Sequence, residues 1–459
     1  MIDYAAPLHE LPDPLPIERL DGPFDVSVPI PGSKSITNRA YMLAATADGV
    51  TAIDHPLRSD DCDALLDALA TLGAGVQWNQ AGNAVRITGV NGRFPHGGTV
   101  NLGDGGTPSR FMIAAACLGT EPVVVDGSAR MRERPVAEGV EMLRALGATI
   151  DYIESDGRLP VRITPGAPLQ GDHLTIGRTA SSQFVSAVML IAPWIDGGVR
   201  MSFDDHPTSE AYIHLTAWML EKWGVRSAIR DTIRPGQMTP HITIRPCQVR
   251  HTGYRIEPDA SSAAYWFTAA ALVPGAQSHA ELGLMASRQP DCQVPMALRL
   301  LGADLEMPGP NDAVLTGPTT LYGRMDLDAE AYPDGAMSLA MACARATGPS
   351  CIHGLHTLRV KETDRIAALA HELMALGIAV EATDDALTID PSDAHDRPVV
   401  IDTYNDHRMA MAFAMLGLAR GNIAIRDPGV VAKSYPSFWN HLSQVYEQAR
   451  NSSGRTSTR

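Results

Sequence analysis

The feature that most constrains the fold of this chain is a pattern that occurs six times along its 459 residues. Each copy is a short polar turn followed by a helix-length run of small and apolar residues, as in Asn405-Asp406-His407-Arg408 before "MAMAFAML". The copies start 71 to 80 residues apart, at Ser33, Gly105, Ser181, Ser261, Asp334 and Asn405. Self-similarity at a nearly constant spacing predicts a fold built from repeated supersecondary units.

A second series alternates with the first and consists of an amphipathic segment that ends at a glycine. The glycines lie 74 to 78 residues apart, at Gly73, Gly147, Gly224, Gly302 and Gly377. Glycine is favoured just past a helix end because it adopts a positive φ without strain. The residues that follow alternate in the manner of a strand, as in "GATIDYI" and "GIAVEAT". Each repeat is therefore predicted to run strand, apolar helix, strand, amphipathic helix, strand.

The first helix of each repeat is apolar on nearly every side, which predicts that it is buried on every side. We therefore expect the α/β class, specifically a two-domain inverse α/β barrel. It would contain six βαβαβ-type repeats, three per domain, with buried parallel helices and the sheets outside.

The domain boundaries follow from the sixth repeat, which lacks a closing strand. The N-terminal segment "FDVSVPI" is the expected substitute, so that the chain starts and finishes in one domain. The predicted organisation is an inserted domain at 33–254, a second domain made of 1–32 plus 255–447, and a disordered tail at 448–459.

Composition narrows the classes of function. The chain has 37 Lys and Arg against 52 Asp and Glu, a net charge of −15, which argues against a nucleic-acid-binding surface. No apolar run reaches the roughly 18 residues of a membrane span, and the N-terminal residues resemble neither a signal nor a transit peptide. The six cysteines lack metal or disulfide spacing, as is typical of a reducing compartment. We expect a cytoplasmic monomer without metal, cofactor, nucleic-acid partner or membrane partner.

Charged residues concentrate in or near the turns before the apolar helices. The cations there are Lys34, Arg39, Arg110, Arg134, Lys361, Arg365, Arg408 and Lys433. Helix N-termini carry free N–H groups and the positive end of the helix dipole, so the pattern favours a small, multiply charged anion. Asp334 and Glu362 lie among the cations, where a carboxylate stays ionised and can act as a base. The pattern predicts proton transfer on a phosphorylated, carboxylated substrate.

Several blocks of the chain resemble one enzyme family. They include "PGSKSITNRA" at 31–40, "GDGGTPSR" at 103–110, "TASSQF" at 179–184, "LRVKETDR" at 358–365 and "TYNDHRMAMAF" at 403–413. In this order they resemble 5-enolpyruvylshikimate-3-phosphate (EPSP) synthases, also called 3-phosphoshikimate 1-carboxyvinyltransferases, from about residue 20 to residue 447. The fold implied by that family, two inverse α/β domains of three units each, agrees with the repeat count.

The resemblance implies a transferase of the shikimate pathway, which leads to chorismate and the aromatic amino acids. The 5-hydroxyl of shikimate 3-phosphate would attack C2 of phosphoenolpyruvate while C3 is protonated, giving a tetrahedral ketal phosphate. Loss of phosphate and of a proton from C3 would then give the enolpyruvyl ether. Neither a cofactor nor a metal is implied. Gly106 keeps the small residue associated with glyphosate sensitivity, so we expect glyphosate to compete with phosphoenolpyruvate.

The resemblance also implies roles for individual residues. Asp334 is the implied base toward the 5-hydroxyl, Glu362 the acid/base at the methylene carbon, and Lys34 a catalytic cation that contacts both substrates. The implied contacts of shikimate 3-phosphate are Lys34, Ser35, Arg39, Ser181, Ser182, Gln183, Ser209, Tyr212, Asp334 and Lys361. Those of phosphoenolpyruvate are Lys34, Gly106, Arg134, Gln183, Arg365, His407, Arg408 and Lys433. His407 is also implied to support the acid/base pair by hydrogen bonding.

Two other functions remain open from the sequence. A UDP-N-acetylglucosamine enolpyruvyl transferase would share the fold, but such enzymes have a segment similar to "PGAKN" where this chain has "PGSKS". They also usually carry a cysteine before an Arg-Pro, whereas Arg134-Pro135 follows Arg132-Glu133 here. A non-enzymatic anion-binding protein would be expected to lose Asp334, Glu362 or Lys34, and all three are present.

Some residues have open or altered roles. Arg110 is either a site cation or a structural one, and Ser261-Ser262 is interpreted as capping and packing. Asp104 replaces an asparagine that is common in the family, and it places a negative charge near the phosphoenolpyruvate contacts. Thr357 also replaces a common asparagine, which leaves its contact with shikimate 3-phosphate open.

Overall fold

The computed structural model describes residues 2–171, 173–234 and 237–456, and it describes no side chains for 231–239 and 451–456. The α-helices are α1 Lys34–Thr46, α2 Asp60–Thr71, α3 Gly106–Ala116, α4 Ala129–Glu133, α5 Ala137–Ala145, α6 Gln183–Ile191, α7 Glu210–Lys222, α8 Ala260–Leu272, α9 Val294–Leu300, α10 Ala336–Cys343, α11 Arg365–Ala375, α12 His407–Arg420 and α13 Phe438–Thr456. The 3-10 turns used below are Pro290–Gln293, His356–Val360 and Pro428–Lys433.

The strands are mostly three to five residues long. They are β1 Leu15–Ile17, β2 Asp25–Ser27, β3 Val50–Asp54, β4 Gly75–Trp78, β5 Ala84–Thr88, β6 Gly98–Asn101, β7 Val123–Asp126, β8 Thr149–Tyr152, β9 Val161–Thr164, β10 His173–Ile176, β11 Val199–Phe203, β12 Ser227–Arg234, β13 Gln237–Ile244, β14 Gly253–Arg255, β15 Gln277–Ala280, β16 Asp304–Gly309, β17 Asp312–Thr316, β18 Leu327–Asp328, β19 Ser350–His353, β20 Ala379–Ala382, β21 Ala386–Asp390, β22 Val399–Ile401 and β23 Ile423–Ile425.

The chain divides into two compact units. Residues Gly32–Glu257 form one, which we call the inserted unit, and the segments before and after it form the terminal unit. The domain predicted at 33–254 differs from the inserted unit by one residue at its start and three at its end. The structure differs from the prediction at the C-terminus, where residues 448–456 continue α13 instead of forming a disordered tail. Tyr446 and Ala449 are buried on that helix, which explains why it extends past 447. Residues 457–459 of the predicted tail lie outside the described residues.

Among the described residues each unit contains three small mixed sheets. Five of them share one four-stranded topology, and the sheet β1-β23-β22 has three strands. In the second repeat, β6 pairs parallel with β7, β7 pairs antiparallel with β9, and β9 pairs antiparallel with β8. The same order recurs as β10-β11-β13-β12 in the third repeat and as β18-β19-β21-β20 in the fifth. A βαβ crossover returns the chain to the parallel strand, and a following helix leads into the antiparallel pair.

The prediction for the closing strand of the sixth repeat was wrong. That strand is β1, which pairs antiparallel with β23 through Leu15 and Ile425. The segment "FDVSVPI" instead contributes β2, which pairs parallel with β15 in the fourth repeat, while β14 pairs parallel with β3 in the first. The strand before α1, β2, therefore joins the sheet of the fourth repeat, and the strand before α8, β14, joins the sheet of the first repeat. β1 escaped detection because three residues with a central Pro16 show no alternation, and proline is tolerated there because β1 is an edge strand.

The six apolar helices form the interior of the two units, as the repeats predict. In the inserted unit α1, α3 and α6 contact one another, and in the terminal unit α8, α10 and α12 do so. Every residue of α12 is buried. The glycines that end the amphipathic helices all have positive φ, between 77° and 118°, which confirms their predicted position. None of the helices in the described part of the chain combines the length and apolar character that a membrane crossing requires.

Candidate active site

The starts of α10, α11 and α12 bring ionisable side chains of the terminal unit together in a group that we call the carboxylate cluster. Its members are Asp334, Lys361, Glu362, Arg365, Asp406, Arg408 and Lys433. Asp334 immediately precedes Gly335, the N-cap of α10, and Asp406 is the N-cap of α12. The Asp406 carboxylate accepts a hydrogen bond from the backbone N–H of Arg408 at 2.9 Å, so the cap also sets the direction of the first turn.

Arg365 lies at the centre of the carboxylate cluster with its side chain 1% exposed. Its Nε donates to Asp406 at 2.7 Å, its Nη1 to Asp334 at 2.8 Å, and its Nη2 to Glu362 at 2.9 Å. The planar guanidinium thus holds three carboxylates in fixed directions. The predicted contact of Arg365 with phosphoenolpyruvate remains a prediction, whereas its contacts within the protein are to carboxylates.

Asp334 is surrounded by cations. Besides Arg365 on Oδ1, it accepts a hydrogen bond from Arg408 Nη2 on Oδ2 at 2.9 Å, and Lys361 Nζ lies 3.5 Å from Oδ1. Burial alone would raise the pKa of Asp334, but the charges of Arg408, Lys361 and Arg365 outweigh it and hold the pKa well below its usual range. Asp334 is therefore an ionised carboxylate that is only partly accessible, which is the state a proton acceptor needs.

Glu362 shares Nη2 of Arg365 with Asp406, whose Oδ1 accepts a hydrogen bond from the same nitrogen at 3.2 Å. Its second oxygen, Oε1, lies 3.8 Å from Nζ of Lys433, at the end of the 3-10 turn Pro428–Lys433. His407 is fully buried, and its Nδ1 lies 3.8 Å from Oδ1 of Asp406. The two carboxylates implied in proton transfer, Asp334 and Glu362, are thus joined through one guanidinium.

The inserted unit carries a second group of polar side chains at the starts of α1, α3 and α6. Lys34 opens α1, and its Nζ lies 3.2 Å from Oδ2 of Asp61 on α2. Both side chains are largely buried, at 16% and 6% exposure, so the ion pair holds the ammonium in one place. Asp61 has no motif of its own and was not among the predicted site residues.

Gln183 is the first residue of α6, and its side-chain amide is fixed at both ends. Its Oε1 accepts a hydrogen bond from Nη1 of Arg110 at 2.5 Å, and its Nε2 donates to Oγ1 of Thr107 at 2.8 Å. Arg110 also donates to the carbonyl of Pro135 at 3.1 Å and lies over the ring of Phe184. Through these contacts Arg110 orients Gln183 and the loop of Arg134.

Arg134 is buried against the start of α3. A side chain at Gly106 would meet its guanidinium, since an ideal Cβ there lies 2.7 Å from Nη2 and 2.9 Å from Cζ. The buried Nε of Arg134 has no hydrogen-bond partner among the described residues. Asp104 turns its carboxylate to the Ser128 hydroxyl, and its backbone carbonyl accepts from Nη1 of Arg134 at 3.4 Å. Arg134 therefore keeps a buried donor suited to an anionic ligand.

Arg39 has internal partners instead of an open guanidinium. It is 2% exposed, and it donates to the hydroxyls of Thr216 and Ser186 at 2.8 and 3.3 Å and to the carbonyls of Ser35 and Tyr212 at 2.9 and 3.4 Å. Burial lowers the pKa of Arg39 to about 10, so it stays charged at neutral pH. These bonds tie α1 to α6 and α7, and they orient the segments that carry the remaining predicted contacts.

The other predicted contacts also lie at helix starts. Ser181 and Ser182 precede α6, with Ser182 buried, and the Ser181 hydroxyl accepts from the backbone N–H of Gln183 at 3.2 Å. Ser209 is the N-cap of α7 with a left-handed φ of 49°, and Tyr212 lies in the first turn of that helix. Thr357 is buried in the turn His356–Val360, and its hydroxyl lacks a partner among the described residues.

Comparison with known proteins identifies the family of this chain. A family model described as EPSP synthase (3-phosphoshikimate 1-carboxyvinyltransferase) matches residues 19–442. The chain belongs to the EPSP synthase family. The 3-phosphoshikimate 1-carboxyvinyltransferase of Edwardsiella ictaluri is 37% identical over 94% of this chain and 97% of its own length. That of Thiobacillus denitrificans is 39% identical over 91% of this chain and 96% of its own length.

Solved structures agree with the family assignment. EPSP synthase from Acinetobacter baumannii superposes with a TM-score of 0.76 at 27% identity, covering 94% of this chain and 97% of that one. The enolpyruvyl transferase NikO from Streptomyces tendae superposes with a TM-score of 0.67 at 19% identity, a likeness of fold alone. The α/β fold expected from the repeats is therefore that of EPSP synthases.

Proposed function

We propose that this protein transfers the enolpyruvyl group of phosphoenolpyruvate to the 5-hydroxyl of shikimate 3-phosphate and releases phosphate. It is a transferase, a 3-phosphoshikimate 1-carboxyvinyltransferase of the shikimate pathway for aromatic amino-acid biosynthesis. The observation that carries the chemistry is the pair of carboxylates, Asp334 and Glu362, held by the one guanidinium of Arg365. One group can accept a proton as a carboxylate while the other donates one as a carboxylic acid, which is what addition to the double bond requires.

In this scheme Asp334 takes the proton of the 5-hydroxyl as that oxygen attacks C2 of phosphoenolpyruvate. Glu362, entering in its acid form, delivers a proton to C3 and takes one back from that carbon when phosphate leaves. Asp334 passes the hydroxyl proton to the departing phosphate, so the enolpyruvyl ether forms with no net change in the enzyme. Arg408 and Lys361 touch Asp334 and are placed to meet the negative charge of the substrates. Nζ of Lys433 lies 3.8 Å from Glu362, and Nδ1 of His407 lies 3.8 Å from Asp406.

The residues of the inserted unit supply neutral donors and further cations. Lys34 and Arg134 hold phosphate and carboxylate oxygens, and the buried Nε of Arg134 supports this assignment. Shikimate 3-phosphate would be bound by Ser35, Ser181, Ser182, Ser209 and Tyr212, which lie at helix starts where backbone N–H groups and the helix dipole favour anions. Gln183, oriented by Arg110, would contact both substrates. Arg39 would act by fixing these segments, because its donors are taken by protein acceptors.

The reaction is tested by phosphate release from phosphoenolpyruvate with purified protein, with and without shikimate 3-phosphate. Release that requires shikimate 3-phosphate, accompanied by vinyl proton signals of the ether in NMR spectra, would support the proposal. Phosphate release that requires UDP-N-acetylglucosamine instead would show that the protein is a UDP-N-acetylglucosamine enolpyruvyl transferase. Binding of both anions by calorimetry without turnover would overturn the proposal in favour of an anion-binding protein.

Substitution of Gly106 by alanine should impair the use of phosphoenolpyruvate selectively. The added methyl would press on the guanidinium of Arg134, which is buried and cannot retreat freely. We expect KM for phosphoenolpyruvate to rise about tenfold, the effect of losing roughly 1.4 kcal/mol of binding, with KM for shikimate 3-phosphate unchanged. Glyphosate should compete with phosphoenolpyruvate in the unmodified enzyme, as expected for an anion that uses the same cations.

The matched control is Gly177→Ala, because a Cβ at Gly177 would meet open space and its φ is not positive. Steady-state kinetics of both variants at saturating co-substrate give the two KM values. An unchanged KM for phosphoenolpyruvate in Gly106→Ala would contradict the placement of that substrate at Arg134.

We further propose that the protein works as a cytoplasmic monomer on these two small molecules, without a cofactor, a nucleic acid or a membrane. The six cysteines all lie in the described part of the chain and form no disulfide, which supports a reducing compartment. The net charge of −15 supports a protein without a nucleic-acid partner. Light scattering of the purified protein at micromolar concentration tests the monomer.

A further inference from the structure

A buried carboxylate that the proposed reaction does not use lies next to Asp334. Asp291, in the 3-10 turn Pro290–Gln293, is only 2% exposed. Its Oδ1 accepts a hydrogen bond from the backbone N–H of Gly335 at 2.9 Å, and its Oδ2 accepts one from the hydroxyl of Ser261. Since Gly335 directly follows Asp334, Asp291 joins the start of α8 to the peptide that carries the proposed base.

The contact between Asp291 and Gly335 leaves no space for adjustment. An ideal Cβ at Gly335 would lie 2.8 Å from Oδ1 of Asp291 and 2.3 Å from Cγ2 of Val294. Gln289, two residues before Asp291, accepts a hydrogen bond from the backbone N–H of Ala260 at 3.0 Å. The segment 289–294 therefore fixes the starts of α8 and α10 together, which is a stronger requirement than simple capping.

The charges that face Asp291 come from several elements. They are Asp334 before α10, Arg408 on α12 and Asp259 at the N-cap of α8, and Tyr332 lies close as well. Burial, followed by the negative charge of Asp334, raises the pKa of Asp291 to about 6, against the opposing effects of Arg408 and the Ser261 hydrogen bond. The repulsion is mutual, so an ionised Asp291 raises the proton affinity of Asp334 and offsets part of the effect of its three cations.

We propose that Asp291 is a positioning residue for Asp334, which fixes the Gly335 peptide and supplies a negative charge that makes Asp334 a better base. This inference rests on the proposed function, in which Asp334 accepts the 5-hydroxyl proton. In that step the proton passes to Asp334, and Asp291 neither gains nor loses one. Ser261 belongs to this arrangement, because its hydroxyl stabilises the ionised form of Asp291.

The test compares kcat and both KM values of Asp291→Asn and the unmodified enzyme between about pH 5 and pH 8. Asparagine keeps an acceptor for Gly335 but cannot ionise, so kcat above about pH 6 should fall by about 3- to 10-fold, as for a base that loses up to one pKa unit of proton affinity. The KM values should not change. The ratio of the variant's kcat to that of the unmodified enzyme should therefore fall as the pH rises through about 6. Titration of the substrates affects both enzymes and cancels in this ratio.

Ser261→Ala tests the same idea without touching a carboxylate. Loss of the Ser261 hydrogen bond should move the rise of kcat to higher pH, with kcat at the alkaline end unchanged. The matched control is Ser262→Ala, because the Ser262 hydroxyl also donates to a carboxylate in the first turn of α8, Oδ2 of Asp259 at 2.7 Å. This control should leave the profile in place.

Thermal unfolding separates the proposed role from a purely structural one. The pKa of Asp291 is raised in the folded protein, so the stability it contributes is complete at acid pH and is lost as pH rises through about 6. Asp291→Asn should therefore unfold at the same or a higher temperature than the unmodified enzyme above that pH, while turning over more slowly. An unchanged kcat profile, or a fall in kcat that matches a fall in melting temperature, would overturn the inference. An unmodified enzyme that forms no enolpyruvyl ether would instead refute the proposed function.

Discussion

Replacing Asp334 by asparagine should lower kcat by about 10²- to 10⁴-fold, the range for loss of a general base. The side chain keeps its size, and Arg365 keeps Asp406 and Glu362 as partners, so the fold should survive. The substitution also frees Arg408 and Lys361 from a counter-charge. Because these cations then attract the anionic substrates more strongly, KM for both substrates should stay the same or fall. Steady-state kinetics with phosphate detection, together with circular dichroism, measure both effects.

The matched control for this variant is Asp328→Asn. Asp328 is an exposed residue of β18 in the same unit, and its carboxylate accepts a hydrogen bond from the backbone N–H of Glu330, a role that an asparagine can also fill. Its kcat should equal that of the unmodified enzyme. Retention of more than about a tenth of kcat by Asp334→Asn would assign the base to another group, since a general base contributes at least about 10²-fold.

Replacing Arg365 by methionine should cause the largest loss of stability of any single substitution in the carboxylate cluster. Methionine has a similar length but leaves Asp334, Glu362 and Asp406 without the guanidinium that joins them. Breaking a buried ion pair from one side costs about 3–5 kcal/mol in the free energy of unfolding. For a unit of this size that corresponds to a melting temperature lower by about 6–20 °C. Urea and thermal denaturation followed by circular dichroism provide the measurement.

The pH dependence of this loss has a defined sign. Asp334 has a lowered pKa in the folded protein. The stability it contributes is therefore present at neutral pH and is lost as the pH falls below the ordinary pKa of an aspartate, through the lowered pKa of Asp334. Without Arg365, Asp334 is protonated more easily, and the difference between variant and unmodified protein should shrink in acid. The control is Arg426→Met, whose partner Asp402 is 48% exposed, and it should cost less than about 1 kcal/mol. Equal losses in the two variants would contradict the central role of Arg365.

Much of the fold could be predicted from the sequence because its signals are local. The burial of α12 follows from an uninterrupted run of small and apolar residues, and the end of α11 follows from Gly377, whose φ is 79°. The repeat spacing then grouped such local units into two sets of three. β1 could not be found this way, since three residues around Pro16 carry no periodic signal and their partner β23 lies about 400 residues away in the chain.

The candidate site shows the same division. The motif blocks named the residues, and the helix starts explained why cations and carboxylates gather there. The hydrogen-bond partners did not follow from these patterns. Arg365 is bonded to three carboxylates and Arg39 to hydroxyls and carbonyls, and the contact of each with substrate stays a prediction. Asp61 and Asp291 were missed because each lies outside the motifs and becomes important only through the residue it contacts.

The sequence by itself determined the repeat, the helices that are buried, the glycines that end helices and the types of residue at each helix start. These depend on interactions between residues a few positions apart, which the order of the amino acids specifies directly. Only the tertiary structure decided which strand closes the sixth sheet, how β2 and β14 are exchanged, and which carboxylate each arginine bonds. Such choices depend on which edges and helix starts meet in space, because many pairings are possible for each strand or charge and packing selects one of them.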